Sequence, residues 1–183
     1  FRQAIYAAGF QKERDALIET LDALCLTGGL SAFPLLSLST AFHRQWPSLY
    51  KAVERGQLNA QWLSQHLAHH VPVFGVQYFA LDGSAWPRPR AQTLDDRQYV
   101  YHPTPAVNGG SICVGYPYSL LDWVPDAHQS WALSVSIARI PIDMTAVEMG
   151  VTQVQELGKH RAALADVLDI VAADGKYGNA KFL

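Results

Sequence analysis

The chain has 183 residues, 49% of them hydrophobic and 16% charged, with a formal net charge of −2. That length and apolar content suffice for a substantial core in one domain or two small ones, and they exclude a disordered or fibrous chain. Near-neutral charge excludes a uniformly basic nucleic-acid coat but leaves room for a local patch, because Arg88, Arg90 and Arg97 fall close together in sequence.

No apolar run reaches the roughly 18 residues that a membrane-spanning helix needs. The start, Phe1-Arg2-Gln3, lacks an initiator Met, so a trimmed chain is expected, and it does not show the basic, apolar, small order of a signal peptide. Cys25 and Cys113 stand alone without CxxC spacing, which argues against a disulfide scaffold or a zinc ribbon. A reducing cytoplasm is the expected compartment.

Residues 1–70 read as helical. From Gln11 to Leu26, Leu17, Ile18, Leu21, Leu24 and Cys25 recur at helical spacing, and Gly28-Gly29 stop the run. The stretch from Leu35 to Phe42 is apolar and less periodic. Pro47 to Glu54 predicts a short helix ended by Gly56. Asn59 then caps a further helix carrying Trp62, Leu63 and Leu67, with Leu58 and Leu63 placed as a hydrophobic staple. This helix runs out at His69-His70, and a domain boundary is expected near Val71 to Val73.

Strands follow. Val73 to Leu81 is an apolar run rich in Val, Phe and Tyr that delivers Asp82, and a turn is expected over Gly83 to Pro89. Arg97 to His102 is short and β-prone. Asn108-Gly109-Gly110 signals a turn, with Ser111 to Val114 as the returning strand. Trp131 to Ile140 is the next strand. Thr145-x-x-Glu148 is a capping box opening a helix whose apolar face is Val147, Val151, Val154 and Leu157. Leu168 to Ala173 then repeats the earlier design, a strand delivering Asp174 and then Gly175. The order β-β-β-α-β predicts a mixed sheet, a meander followed by a crossover.

If the first and last of these strands are neighbours, Asp82 and Asp174 stand side by side at one sheet edge, where open α/β sheets bind ligands. Ala80 and Ala172 share the Asp face and leave space there. Close carboxylates repel unless protonated or bridged, and hard divalent cations favour such oxygen ligands. A carboxylate-held metal pair activates water or a 3′-hydroxyl and stabilises a leaving phosphate oxygen. The competing reading is two aspartates that merely begin turns.

Three motifs carry a resemblance. Asp82-x-Ser84-x-Trp86-x-Arg88-Pro89, Gly115-Tyr116-Pro117-Tyr118-Ser119 and Val171-Ala172-Ala173-Asp174-Gly175-Lys176-Tyr177-Gly178 resemble bacterial insertion-sequence transposases of the DDE superfamily. Looser similarity extends to the helical stretch 43–56. The resemblance implies an α/β fold: a helical, DNA-binding region over residues 1–70, then a ribonuclease H-like mixed sheet with flanking helices over 71–183, incomplete at the C-terminus. It implies DNA transposition by metal-dependent cleavage and strand transfer on double-stranded DNA, by a homo-oligomer. Asp82 and Asp174 would be catalytic acids holding Mg²⁺ or Mn²⁺, and Arg88, Arg90 and Lys176 would touch DNA.

One element of that pattern is missing. A Glu should follow Asp174 on a later helix, yet no residue from Gly175 to Leu183 is acidic. The expectation is therefore a fragment or a truncated relative. Glu148 is the candidate substitute within the chain, and its capping-box role is the preferred reading. The alternatives are a non-catalytic DNA-binding remnant or another ribonuclease H-like nuclease. His66 and His70, at i,i+4 beside His69, suit either zinc or a solvated helix end. Trp86 is expected to pack under its loop rather than stack on a base, and Tyr116 and Tyr118 to pack at a turn. Tyr177, beside Lys176, would touch DNA or cap the crevice.

Overall fold

A computed structural model describes residues 1–28, 32–91, 93–104, 110–125, 131–164 and 166–177. The chain divides into two units, Phe1–Leu63 and Ser64–Leu183.

In the first unit, α1 (Arg2–Ala4) runs into a π-helical stretch, Ile5–Gly9, then β1 (Phe10–Lys12) and α2 (Arg14–Leu26). After these come α3 (Phe33–Leu36), α4 (Trp46–Arg55) and β2 (Gln57–Leu58). The helix expected from Gln11 begins three residues later because Phe10 pairs with Leu58 across an antiparallel β1–β2 ladder. Two small cores result. Ile5, Phe10 and Ile18 pack with Leu17, Leu21, Trp62 and Leu63, while Ala23, Leu36, Phe42 and Leu49 form the other. Gly56 ends α4 by turning extended, and a Cβ there would lie 2.2 Å from the Ala52 carbonyl oxygen. Asn59 accepts the Trp62 N–H at 3.1 Å and caps α5 (Ala60–Ala68), a helix that begins in this unit and ends in the second.

The second unit is a five-stranded mixed sheet with one long helix. Its strands are β3 (Gly75–Pro87), β4 (Gln98–Tyr101), β5 (Ile112–Val124), β6 (Leu133–Arg139) and β7 (Val167–Ala173), and α6 (Ala146–Arg161) connects β6 to β7. The order is β4-β5-β3-β7, with β6 also pairing β5. Among the described residues only the β3–β7 pair is parallel. This is the mixed α/β architecture expected of a ribonuclease H-like core, with its crossover helix in place. The turn at Asn108-Gly109 lies outside the described residues.

Two expectations about the strands are corrected. β3 does not end at Asp82 but continues to Pro87, because Gly83 to Pro87 pair with Ser119 to Gly115 of β5. The stretch Gly115 to Ser119 is therefore mid-strand rather than a turn. Gly115 serves close approach: a Cβ there would sit 2.3 Å from the Trp86 carbonyl oxygen.

α6 covers one face of the sheet. Phe79, Leu81, Leu121 and Val135 are buried there with Leu157, and Val147 and Val154 pack against them. Gly150 lets the helix approach, since a Cβ on it would come within 2.8 Å of both the Leu81 and Tyr177 side chains. Polar groups at this contact are paired, as burial requires. The buried Ser119 hydroxyl donates to Gln153 Oε1 at 2.6 Å, and Gln153 Nε2 donates to Ser136 Oγ at 3.0 Å. At the last turn of α6, the buried Arg161 donates two hydrogen bonds to Asp169 of β7, at 2.7 and 2.9 Å, and one to the Pro72 carbonyl at 2.9 Å. The capping box at its start forms: Glu148 N–H donates to Thr145 Oγ1 at 3.2 Å, and Thr145 N–H donates to Glu148 Oε2 at 2.9 Å.

Candidate active site

Alternation along β3 puts Phe79 and Leu81 on the helix-covered face and Tyr78, Ala80, Asp82, Ser84 and Trp86 on the other. That second face is open: Tyr78 and Trp86 are about half exposed and Asp82 is exposed. On β7, Ile170 and Ala172 belong to the same face, with Ala80 paired to Ala172. The β3–β7 ladder ends with Leu81 paired to Ala173. Asp82 and Asp174 are the next residues of two neighbouring strands whose backbones run about 4.8 Å apart. Small residues, Ala80 and Ala172, lie immediately behind them. Asp82 Oδ1 accepts the Gly83 N–H at 2.6 Å, which orients that carboxylate.

Asp174 is exposed and opens the 3₁₀ turn Gly175–Tyr177, whose closing N–H, that of Tyr177, donates to the Asp174 carbonyl at 2.8 Å. The Tyr177 ring is 1% exposed and packs in the sheet–helix core, which excludes the direct DNA contact allowed from sequence. It anchors the segment that carries Asp174.

A further acid escaped the sequence reading. Asp122 of β5 faces Ala80, so it shares the open face, and its Oδ1 is buried without a hydrogen-bond partner among the described residues. Only knowledge of the β3–β5 register could have placed it there. Among the described residues no three His, Cys, Asp or Glu side chains converge on a metal-sized site, which covers both the acids and the His66, His69 and His70 group. His66 and His70 instead meet edge to face at 5.1 Å, and burial together with the charge of His70 lowers the His66 pKa. The Glu148 carboxylate is engaged by Thr145, as the capping box anticipates.

Beyond Asp82 the open face turns aromatic and basic. Trp86 and Tyr118 lie 5.9 Å apart between ring centroids, and the Arg88 guanidinium sits 4.4 Å over the Trp86 ring. Trp86 therefore does not pack under a loop. Arg139 lies 4.8 Å over Tyr116 and pairs with Asp96 at 3.0 Å. Arg90 is exposed in the turn after β3, and Lys176 lies within the Gly175–Tyr177 turn.

The first unit has a groove of about 660 Å³ that includes neither Asp82 nor Asp174. Its cations are already engaged, Arg2 by Asp22 at 2.6 Å and Arg44 by Asp15 and Glu19. Among the described residues no helix is long and apolar enough to cross a membrane.

The chain matches a family model described as DDE superfamily endonuclease over residues 6–183, nearly its whole length, and it belongs to that family. No curated protein and no solved structure matches it.

Proposed function

We propose that this member of the DDE endonuclease family cuts the ends of a transposable DNA element and joins them to target DNA, with Asp82 and Asp174 as its metal-holding acids. The observation that carries this reading is the parallel β3–β7 register, which leaves the two aspartates adjacent on an open sheet face.

The donor set suits a hard divalent ion. Mg²⁺ keeps several waters and is bound through one or two carboxylates plus substrate phosphates, so two adjacent aspartates with alanines behind them fit it, and Mn²⁺ equally. When bound, such an ion lowers the pKa of a water or 3′-hydroxyl and stabilises the leaving phosphate oxygen. The chain's own groups do the positioning. The Gly83 N–H fixes one Asp82 oxygen and leaves the other for the metal side. Tyr177, buried beneath, holds the turn that begins with Asp174. Arg88, Arg90 and Lys176 neutralise DNA phosphates near the acids. In the same reading residues 1–70 grip double-stranded DNA, residues 71–183 cut it, and a homo-oligomer brings two element ends together in the cytoplasm.

Calorimetric titration with Mg²⁺ or Mn²⁺, beside nicking and end-joining assays on supercoiled plasmid, tests this. Wild type is expected to bind the ion and nick DNA, and Asp82→Asn or Asp174→Asn to abolish both. Ion binding untouched by either substitution would refute the assignment, and nicking without joining would indicate a nuclease instead. The lack of a third converging acid among the described residues favours one other reading, DNA binding without cutting. Duplex binding without ion binding or nicking would establish it.

A further inference from the structure

We infer that Trp86 and Tyr118, with Arg88, form a stacking platform for an unpaired nucleotide of the DNA whose backbone lies at Asp82 and Asp174. The inference rests on the proposed DNA-cutting role of that acid pair and adds a binding site beside it.

Trp86, Ser84 and Asp82 occupy alternate positions on one face of β3, and Trp86 is opposite Tyr116 while Ser84 is opposite Tyr118. An indole is large and apolar, so it normally covers a core; here it is 50% exposed on a strand whose other face is the packed one. Its partners are not those of a core residue either. Arg88 covers it at 4.4 Å, Tyr118 tilts against it at 45°, and the Arg88 guanidinium forms no ion pair among the described residues. A cation stacked on a half-exposed aromatic, without a carboxylate to neutralise it, suits a ligand that is both flat and anionic. A nucleotide has both properties.

The platform selects for unpaired bases. Inside a duplex each base face is covered by its neighbours, so away from the ends an indole can stack only on a base freed from pairing. Position along the strand sets which base this is. Trp86 lies four residues beyond Asp82, about 13 Å at the usual rise of a strand. Stacked nucleotides advance about 3.4 Å each, so the held base is roughly four nucleotides or fewer from the phosphate at the acids. Frayed or nicked DNA ends present such a base, and intact duplex does not.

The test is made on the full chain in EDTA, so that it reads binding without any cutting. Fluorescence anisotropy would compare a short oligothymidine, the same strand made abasic and an intact duplex, for wild type, Trp86→Ala and Trp86→Phe, with thermal melts to verify folding. Trp86→Ala is expected to weaken oligothymidine binding about 5- to 150-fold, the range that base–aromatic stacking implies. Binding to abasic strand and duplex should be unchanged, and Trp86→Phe should keep most of the affinity. In wild type, a 5-iodouracil strand should photo-crosslink to the peptide containing Trp86 or Tyr118, which requires no variant to fold. The inference is overturned by equal affinity in Trp86→Ala, by equal losses on normal and abasic strands, or by crosslinks elsewhere. Wild type that binds duplex while Trp86 proves irrelevant would sink this inference alone. Wild type that binds no DNA would sink the proposed function as well.

Discussion

Removing the Asp169 carboxylate should cost the second unit a large part of its stability. Arg161 is 4% exposed at its side chain, whereas Asp169 retains 22%. The guanidinium ties α6 to two other segments: it donates to both Asp169 oxygens on β7 and to the carbonyls of Pro72, at 2.9 Å, and Val71, at 3.4 Å, ahead of β3. Phe79 lies 5.8 Å beneath it. In Asp169→Ala the cation stays buried with two carbonyls and no counter-charge, an arrangement that costs about 3–5 kcal/mol. For a domain whose whole stability is about 5–15 kcal/mol, that is a large fraction. Arg161→Met should cost less, because the carboxylate left behind is 22% exposed and can reach water. Arg161→Met with Asp169→Leu should recover most of the loss, since an apolar pair of similar volume needs no counter-charge. Because the chain divides into two units, one global transition cannot be assumed. Hydrogen exchange of the β3 and β7 amides reads the second unit on its own. A cost below about 1 kcal/mol for Asp169→Ala, a typical exposed pair's value, would refute the claim that this ion pair is desolvated.

Two further outcomes follow from packing and titration. Gly150→Ala would gain about 1 kcal/mol of helix propensity, yet its Cβ would meet Leu81 and Tyr177 at 2.8 Å. Overpacking costs about 1–3 kcal/mol, so denaturant melts should show net destabilisation. For His66, burial and His70 set the folded pKa below the unfolded value near 6.5. The unfolded chain then binds the proton first, so stability is full above about pH 6.5 and falls as pH drops toward the folded pKa. His66→Gln should flatten that slope in exchange-monitored stability below about pH 6.5, and an unchanged slope would contradict the burial.

Much of the second unit was legible because its signals are local and periodic. The run into Asp82, the repeat into Asp174 and the Thr145–Glu148 box each depend on residues a few positions apart. What was hidden depends on partners far along the chain. The sequence reading puts Tyr116 and Tyr118 at a turn, yet they lie in β5 because β3 extends to meet them, with Gly115 making room for the Trp86 carbonyl. The same misplaced strand end put Trp86 under a loop and left Asp122 unnoticed. β1 and β2 are too short, at three and two residues, to show any period. Tyr177 looked like a surface residue of a polar turn, and only the approach of Gly150 makes it core.

The continuation of β3 past Asp82 separates two kinds of change open to a lineage. Asp82 is flanked by backbone pairing to β5 from Tyr78 through Pro87, and by β7 up to Leu81. The connection from Arg88 to Arg97 leaves the sheet only beyond that pairing. Surface connections tolerate insertion far better than ladder positions do. That connection can therefore lengthen, shorten or exchange its sequence while the acid keeps its coordinates. If Asp82 has the proposed role, changes in that connection leave its place in the sheet intact.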